Sequence, residues 1–387
     1  MPVELRINRH GADRVASGHP WIFQSDVTSK GSAQPGDVVS VLNQQGRFLG
    51  IAHFSDTSQI TLRLLSRKPE SVDRSFWLDR FQRALSYRQR VVSNSNAYRL
   101  IYAEADGLPG LIVDRYGDYL VIQTLTQGMD RAKAEIIVAL KELLSPKGIV
   151  ERNDSAVRTK ENLPLQSGVV DGETPSPVIM EMNGLRLEAN LLEGQKTGVF
   201  LDQRQNYLAA ARWARGQVLD CFTSTGGFAL HMAANADAVE AIDSSERALQ
   251  TATRNRDANR ITNIRFREAD VLNSLAGYQA NGRRFDTIVI DPPAFAKSKT
   301  HLEAAERAYH DLNRRALGLL NPGGILISCS CSQHMSEARL FEVIAQASLE
   351  TGRTLRVLER RAQSLDHPVL LTVPETLYLK CLILEIV

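Results

Sequence analysis

At 387 residues the chain is too long for one ordinary core and predicts two or three domains. Hydrophobic residues at 43% and charged residues at 23% fit a globular protein; no apolar run approaches the roughly 18 residues of a membrane span, and MPVELRINRHGADR puts charges where a signal peptide would be apolar. The net charge is +2, too small by itself to imply a nucleic-acid partner, and the four cysteines and eight scattered histidines show neither a disulfide framework nor a zinc pattern, so a cytoplasmic protein without a metal site is expected.

The charge is unevenly placed. Residues 1 to 92 hold 13 Lys+Arg against 8 Asp+Glu, a balance of +5 that leaves −3 for the rest. This fits a phosphate-rich partner or simply a solvated charged face. Runs at 4–7, 37–42, 48–52 and 59–65 have a period of two and are broken by Gly, Pro and Asn, predicting a β-rich module over 1–70. Over 76–92, Trp77, Leu78, Phe81, Leu85 and Val92 form a helical stripe with arginines opposite. Strands at 98–102, 110–115 and 119–123, a helix over 130–144 and a strand at 148–152 make an α+β unit over 71–177, closed by the loop Gly172-Glu173-Thr174-Pro175-Ser176-Pro177. From 178 the pattern changes. A hairpin, 178–182 and 185–189, turns on Asn183-Gly184. Strands at 217–221, 238–242, 264–267, 286–290 and 325–329 then alternate with helices at 227–235, 245–258, 303–319 and 336–351, predicting a doubly wound, mostly parallel α/β sheet over 178–387.

Ligands of such sheets bind beyond the C-terminal strand ends, and four of these ends carry acids. They are Asp220 in VLDCFTSTGGF, Asp243 in AID, Asp270 in EAD and Asp291 in DPPAF. The first turn lacks the GxGxxG and GxxxxGK patterns of phosphate loops, and its acid would repel a pyrophosphate but accept an amino-bearing ligand. Asp243 stands where these folds hold ribose hydroxyls. Asp270 and Val271 suit the amino group and flat face of adenine. One such acid is as readily a helix cap; four along one edge describe a site for adenosine, ribose and an ammonium group, which fits S-adenosylmethionine. Downstream, GGILISCSCSQHM (323–335) follows the turn Asn321-Pro322-Gly323-Gly324 and places Cys329 and Cys331 at the end of a short strand. A thiol there is a small core filler or a nucleophile.

The ordered set VLDCFTSTGGF, AID, EAD, DPPAF and GGILISCSCS resembles class I methyltransferases. With EGQKTGVFLDQR, HPWIFQSDV and LPGLIVDRYGDYLVIQ it resembles the ribosomal RNA large-subunit methyltransferase I family over nearly the whole chain. The resemblance implies an N-terminal PUA domain for RNA (1–70), a middle α+β domain (71–177) and a C-terminal Rossmann-like methyltransferase domain (178–387). It also implies S-adenosylmethionine as cofactor, large-subunit (23S) rRNA as partner and 5-methylcytosine as product. The family's nucleophile is carried to Cys331 in Ser330-Cys331-Ser332, with Cys329 as the alternative; Asp291 is expected to hydrogen-bond the target base and Phe295 to stack on it. Lys196 and Thr197 match the segment leading to the cofactor edge. Cofactor contacts are expected from Phe200, Asp202, Arg204, Asp220, Phe222, Thr223, Gly226, Gly227, Asp243, Ser244, Asp270, Val271 and Asp291, and phosphate contacts from Arg6, Arg9, Arg14, Arg47 and Arg63. Many RNA cytosine-5 methyltransferases carry a second cysteine after a proline of the DPPAF-like motif, whereas this chain has Ala294, which leaves the base for the elimination step unassigned. DPPAF also resembles the [DN]PP[FYW] motif of nitrogen methyltransferases. An rRNA guanine or adenine nitrogen methyltransferase and a non-catalytic RNA-binding assembly factor therefore stand as alternatives, and a homodimer is left open.

Overall fold

The computed structural model describes residues 2–174, 177–194, 197–295 and 302–387. Two compact units emerge, one of Met1–Glu181, Ala189–Val199 and Leu365–Thr376, the other of Met182–Glu188, Phe200–Ser364 and Leu377–Val387. No described helix is long and apolar enough to cross a membrane.

The first unit opens with a six-stranded sheet in which alternate side chains, among them Leu5, Ile7, Val39, Val41 and Leu62, are fully buried. All four expected strands are present. Three further elements, the helix Arg9–Ala16 and the strands Trp21–Phe23 and Val27–Ser29, escape sequence reading because each is too short to display a period. The long helix Arg74–Val91 is capped by Asp73, which accepts from the Ser75 and Phe76 amides, and buries Trp77 and Phe81 in the core it shares with a five-stranded sheet. The helix expected over 130–144 is two, Gln127–Arg131 and Lys133–Leu144, and a strand not expected from the sequence, Gln166–Gly172, ends on the first residue of the expected loop. Two family-like motifs meet inside this unit. The Thr197 hydroxyl of EGQKTGVF donates to Asp114 of LPGLIVDRYGDYLVIQ at 2.5 Å, while the Arg99 guanidinium holds both oxygens of the same carboxylate at 2.8 and 2.9 Å. Lys196 lies outside the described residues.

The hairpin Val178–Met182 and Leu185–Ala189 forms as its Asn-Gly pair predicts, with φ of 54° at Asn183 and 82° at Gly184. Beyond it lies a seven-stranded sheet of β1 (Gln217–Cys221), β2 (Ala238–Asp243), β3 (Ile264–Glu268), β4 (Phe285–Ile290), β5 (Leu320–Ser330), β6 (Leu355–Arg361) and β7 (Lys380–Ile386). The helices in this unit are α1 (Arg204–Trp213), α2 (Gly227–Met232), α3 (Glu246–Ala258), α4 (Val271–Ala280), α5 (Leu302–Leu319) and α6 (Glu337–Glu350). Strand order is 3-2-1-4-5-7-6, and only the pairings made by β7 are antiparallel. The doubly wound α/β expectation holds, and the order reverses between β1 and β4, which puts a binding crevice at their C-terminal ends. The expected turn at 321–324 lies inside β5 as an irregularity, where the partner of β4 jumps from Leu320 to Ile325 and Gly323 takes φ of 71°.

Candidate active site

The chain leaves β1 through a backbone that most side chains avoid: Phe222, Ser224 and Gly226 have φ of 63°, 50° and 87°. Asp220 holds this turn. Its Oδ2 accepts from Thr223 Oγ1 at 2.6 Å and from the Ala229 amide of α2 at 3.0 Å, while its Oδ1 is buried with no hydrogen-bond partner among the described residues. Burial pushes the Asp220 pKa up to about 7; the Thr223 and Ala229 bonds oppose that rise, and the charges of Asp291 and Asp243 add to it. Asp243, ending β2, clips the same turn from the side by accepting from the Ser224 amide at 2.8 Å and the Ser245 amide at 2.9 Å.

The other expected cofactor residues divide by position. Asp270 is exposed and caps α4 through the Asn273 amide, Ser244 is exposed, and Val271 is buried in the core under the sheet edge. Gly227 lacks a side chain for a structural reason: a Cβ there would stand 2.4 Å from Cζ of Tyr207. That ring packs edge-on against Phe228 and stacks on His231, and its hydroxyl donates to the Phe200 carbonyl at 3.4 Å. Burial raises the Tyr207 pKa well above its ordinary value, reinforced by Asp291, Asp202 and Asp220, so these three carboxylates from separate segments converge on one place. Such a concentration of negative charge suits a cationic ligand. Asp202 accepts from the Tyr378 hydroxyl at 2.7 Å, and Arg204 is buried as the first residue of α1.

Sequence reading missed the support of Asp291. Its Oδ2 accepts from Gln203 Nε2 at 3.1 Å, Gln203 Oε1 accepts from Asn206 Nδ2 at 2.6 Å, and Asn206 Oδ1 accepts from Arg361 Nε at 2.8 Å. Gln203 and Asn206 are buried, which makes a polar relay with no apolar excuse for being there. The only sequence signal was their place inside FLDQRQNY. Phe295 meets Tyr309 edge to face at 5.1 Å between ring centroids.

The two neighbouring cysteines differ. Cys329 is 0% exposed, lies across the ladder from Cys381 and shares a hydrogen bond with that thiol; burial drives its pKa well above the ordinary thiol value. Cys331 is the first residue beyond β5 and is partly exposed. Ser332, next in sequence, bonds with the Tyr309 hydroxyl at 3.3 Å, and its carbonyl accepts from Lys380 Nζ at 2.6 Å.

Of the arginines expected to contact phosphate, Arg6, Arg9 and Arg47 are exposed. Two are corrected. Arg63 is 8% exposed and pairs at 2.8 Å with the buried Glu161, and Arg14 pairs at 2.6 Å with the buried Asp26 beneath its contact with the Phe23 ring. Both guanidinium groups are engaged by internal carboxylates, and that of Asp26 is shared with His10 Nδ1 at 2.8 Å.

Comparison with known proteins agrees with this architecture. Residues 5–67 match the model of a PUA-like domain, and residues 167–380 that of an S-adenosylmethionine-dependent methyltransferase. Ribosomal RNA large subunit methyltransferase I of Tolumonas auensis is 40% identical over 377 residues, covering 95% of this chain and 95% of the relative. The Shewanella amazonensis protein of the same name is 41% identical over 395 residues, covering 100% of both. A solved structure described as an S-adenosylmethionine-dependent methyltransferase from Streptococcus mutans shares the fold with a TM-score of 0.84 at 23% identity, over 99% of this chain and 100% of that one. With a PUA-like module, a 3-2-1-4-5-7-6 sheet and near-complete alignment to these relatives, the chain belongs to the ribosomal RNA large subunit methyltransferase I family of S-adenosylmethionine-dependent methyltransferases.

Proposed function

We propose that this enzyme methylates carbon 5 of a cytosine in large-subunit (23S) rRNA through a covalent adduct on Cys331. The observation that carries the reading is the contrast at the end of β5, where Cys329 is buried against Cys381 and Cys331 is partly exposed. The names of the relatives support rRNA as the substrate class, and the exposed Arg6, Arg9 and Arg47 are our choice for phosphate contacts. The comparisons offer no support for a homodimer.

The residues present fit S-adenosylmethionine. The unpartnered Asp220 Oδ1 suits an ammonium group, Asp243 the ribose hydroxyls, and the carboxylates around Tyr207 a positive ligand; Phe200, Asp202, Arg204, Phe222, Thr223 and Gly226 would line the same edge, with Ser244 and Asp270 at its rim. When bound, the cofactor supplies a methyl group made electrophilic by its sulfonium. Carbon 5 of cytosine is a weak nucleophile, and the chain's own residues change that. The Cys331 thiolate adds to carbon 6, and the displaced electron pair makes carbon 5 enamine-like. Asp291, aimed by Gln203, would hydrogen-bond the base, and Phe295 would stack on it once it is flipped from the RNA. After methylation, loss of the carbon 5 proton to a base restores the ring double bond and expels Cys331 as thiolate, so the enzyme is regenerated.

The test is methyl transfer from labelled S-adenosylmethionine to large-subunit rRNA lacking its own modifications, read by nucleoside mass spectrometry for wild type, Cys331→Ser and Cys329→Ser. Label in 5-methylcytosine that vanishes only with Cys331→Ser is expected. Label in a methylated guanine or adenine, or activity indifferent to both substitutions, would overturn the thiol route.

A further inference from the structure

At neutral pH an ordinary cysteine is mostly protonated, and a nearby cation is one of the few devices that change this. Such a cation is bonded to the turn that carries Cys331. Lys380 begins β7 directly opposite Ser330, is 6% exposed, and donates from Nζ to the carbonyls of Ser332 at 2.6 Å and Tyr378 at 2.8 Å. Cys331 is thus bracketed by two residues that Lys380 holds, Ser330 through the ladder and Ser332 through the ammonium.

The placement is costly for a residue that only packs. Lys380-Cys381-Leu382-Ile383-Leu384 is otherwise a buried apolar run, and two neutral carbonyls do not compensate a full positive charge away from water. Burial lowers the Lys380 pKa to about 8, and the charge of Cys331 works against that fall. The other titratable groups nearby have partners of their own. The Tyr378 hydroxyl donates to Asp202, Arg360 pairs with Glu337 at 2.7 Å, Arg361 pairs with Glu359 at 2.9 Å, and burial pushes Tyr309 up to about 12. A cavity of about 460 Å³, lined by Gln333, Met335, Leu377, Leu379 and Lys380 among others, borders the turn.

We infer that Lys380 is a positioning residue for the nucleophile, its buried ammonium stabilising the thiolate form of Cys331 while it tethers the turn from Ser330 to Ser332. The step it assists is loss of the Sγ proton to solvent. The ammonium keeps its three protons throughout and forms no bond to the substrate. The inference rests on the Cys331 reading above.

The experiment follows alkylation of Cys331 by iodoacetamide in the full-length enzyme across neutral to alkaline pH, read by peptide mass spectrometry, with the buried Cys221, Cys329 and Cys381 as internal controls. Lys380→Gln keeps donors for the two carbonyls but no charge, and Lys380→Arg keeps the charge. The Gln variant is expected to label about tenfold more slowly at neutral pH, with its midpoint moved to higher pH, and the Arg variant to stay within about threefold of wild type. Faster or unchanged labelling in Lys380→Gln would leave Lys380 only a tether and overturn the inference. A reciprocal measurement needs no Lys380 variant. Cys331→Ser should lower the pH at which Lys380 loses its proton, seen by NMR at Cε, and an unmoved titration counts against the pairing. The two readings fail separately: undiminished methylation by Cys331→Ser sinks the thiol mechanism and leaves the labelling result standing, whereas unchanged labelling in Lys380→Gln sinks only the role of Lys380.

Discussion

Gln203 Nε2 donates to Asp291 Oδ2 at 3.1 Å, across 88 residues of sequence, and is itself held from behind by Asn206. A neutral amide therefore aims the acid that follows β4. Asp291 directly follows β4, and on the function proposed above it would contact the base; a small misplacement of such a group costs rate far more than binding. Gln203→Ala should lower kcat by about tenfold to a hundredfold and change cofactor affinity by less than about threefold, measured by single-turnover methylation and calorimetry. Equal losses in both would show that Gln203 shapes the cofactor site instead.

Asp220 predicts a pH dependence. Burial holds its pKa up to about 7, so the carboxylate is largely protonated below neutrality in the ligand-free enzyme. A cofactor ammonium needs the ionised form. Raising the pH through that value should therefore tighten S-adenosylmethionine binding, by about tenfold between one unit below and one unit above it, while Asp220→Asn should bind weakly with a flat profile. The folding term runs the opposite way: a raised carboxyl pKa stabilises the protonated native state at low pH and loses that contribution as pH rises through about 7. Titration calorimetry at several pH values separates binding from folding.

Gly227 should tolerate no side chain. Because the added Cβ would fall 2.4 Å from the Tyr207 ring, Gly227→Ala is expected to destabilise the catalytic unit by about 1–3 kcal/mol. Denaturant unfolding of wild type and variant measures this, and combining it with Tyr207→Ala should recover part of the loss if the clash is the cause.

The arginines of the first unit should separate into two classes. Arg63→Ala removes the partner of buried Glu161 and should cost about 3–5 kcal/mol of stability. Arg47→Ala and Arg6→Ala should leave the melting temperature within about 2 °C of wild type but weaken rRNA binding and reduce its salt dependence, each by about one counterion. Filter binding at several salt concentrations, beside thermal melts, would reveal a wrong assignment as the two classes exchanging behaviour.

Local pattern alone carried the alternation of strands and helices from β1 onward, the Asn183-Gly184 hairpin, and the acids Asp220, Asp243, Asp270 and Asp291 at successive strand ends, because periodicity and turn chemistry report geometry within a few residues. It did not reveal β6 and β7, whose charged and apolar residues do not alternate cleanly, or α4, which is short and weakly amphipathic. It favours Cys331 over Cys329 only by family resemblance and by position along the strand; the burial that distinguishes them is made by Cys381 across the ladder and by the strand ending at Ser330. The same holds for Gln203 beneath Asp291, for Lys380 bonded to Ser332 over 48 residues of sequence, and for Arg63 and Arg14 turned inward. Residue type sets what a side chain can donate, accept or titrate. Only the order of strands in the sheet decides which partner it meets and how much water is left around it, and for this chain that determines which thiol, which carboxylate and which arginine remain available for chemistry.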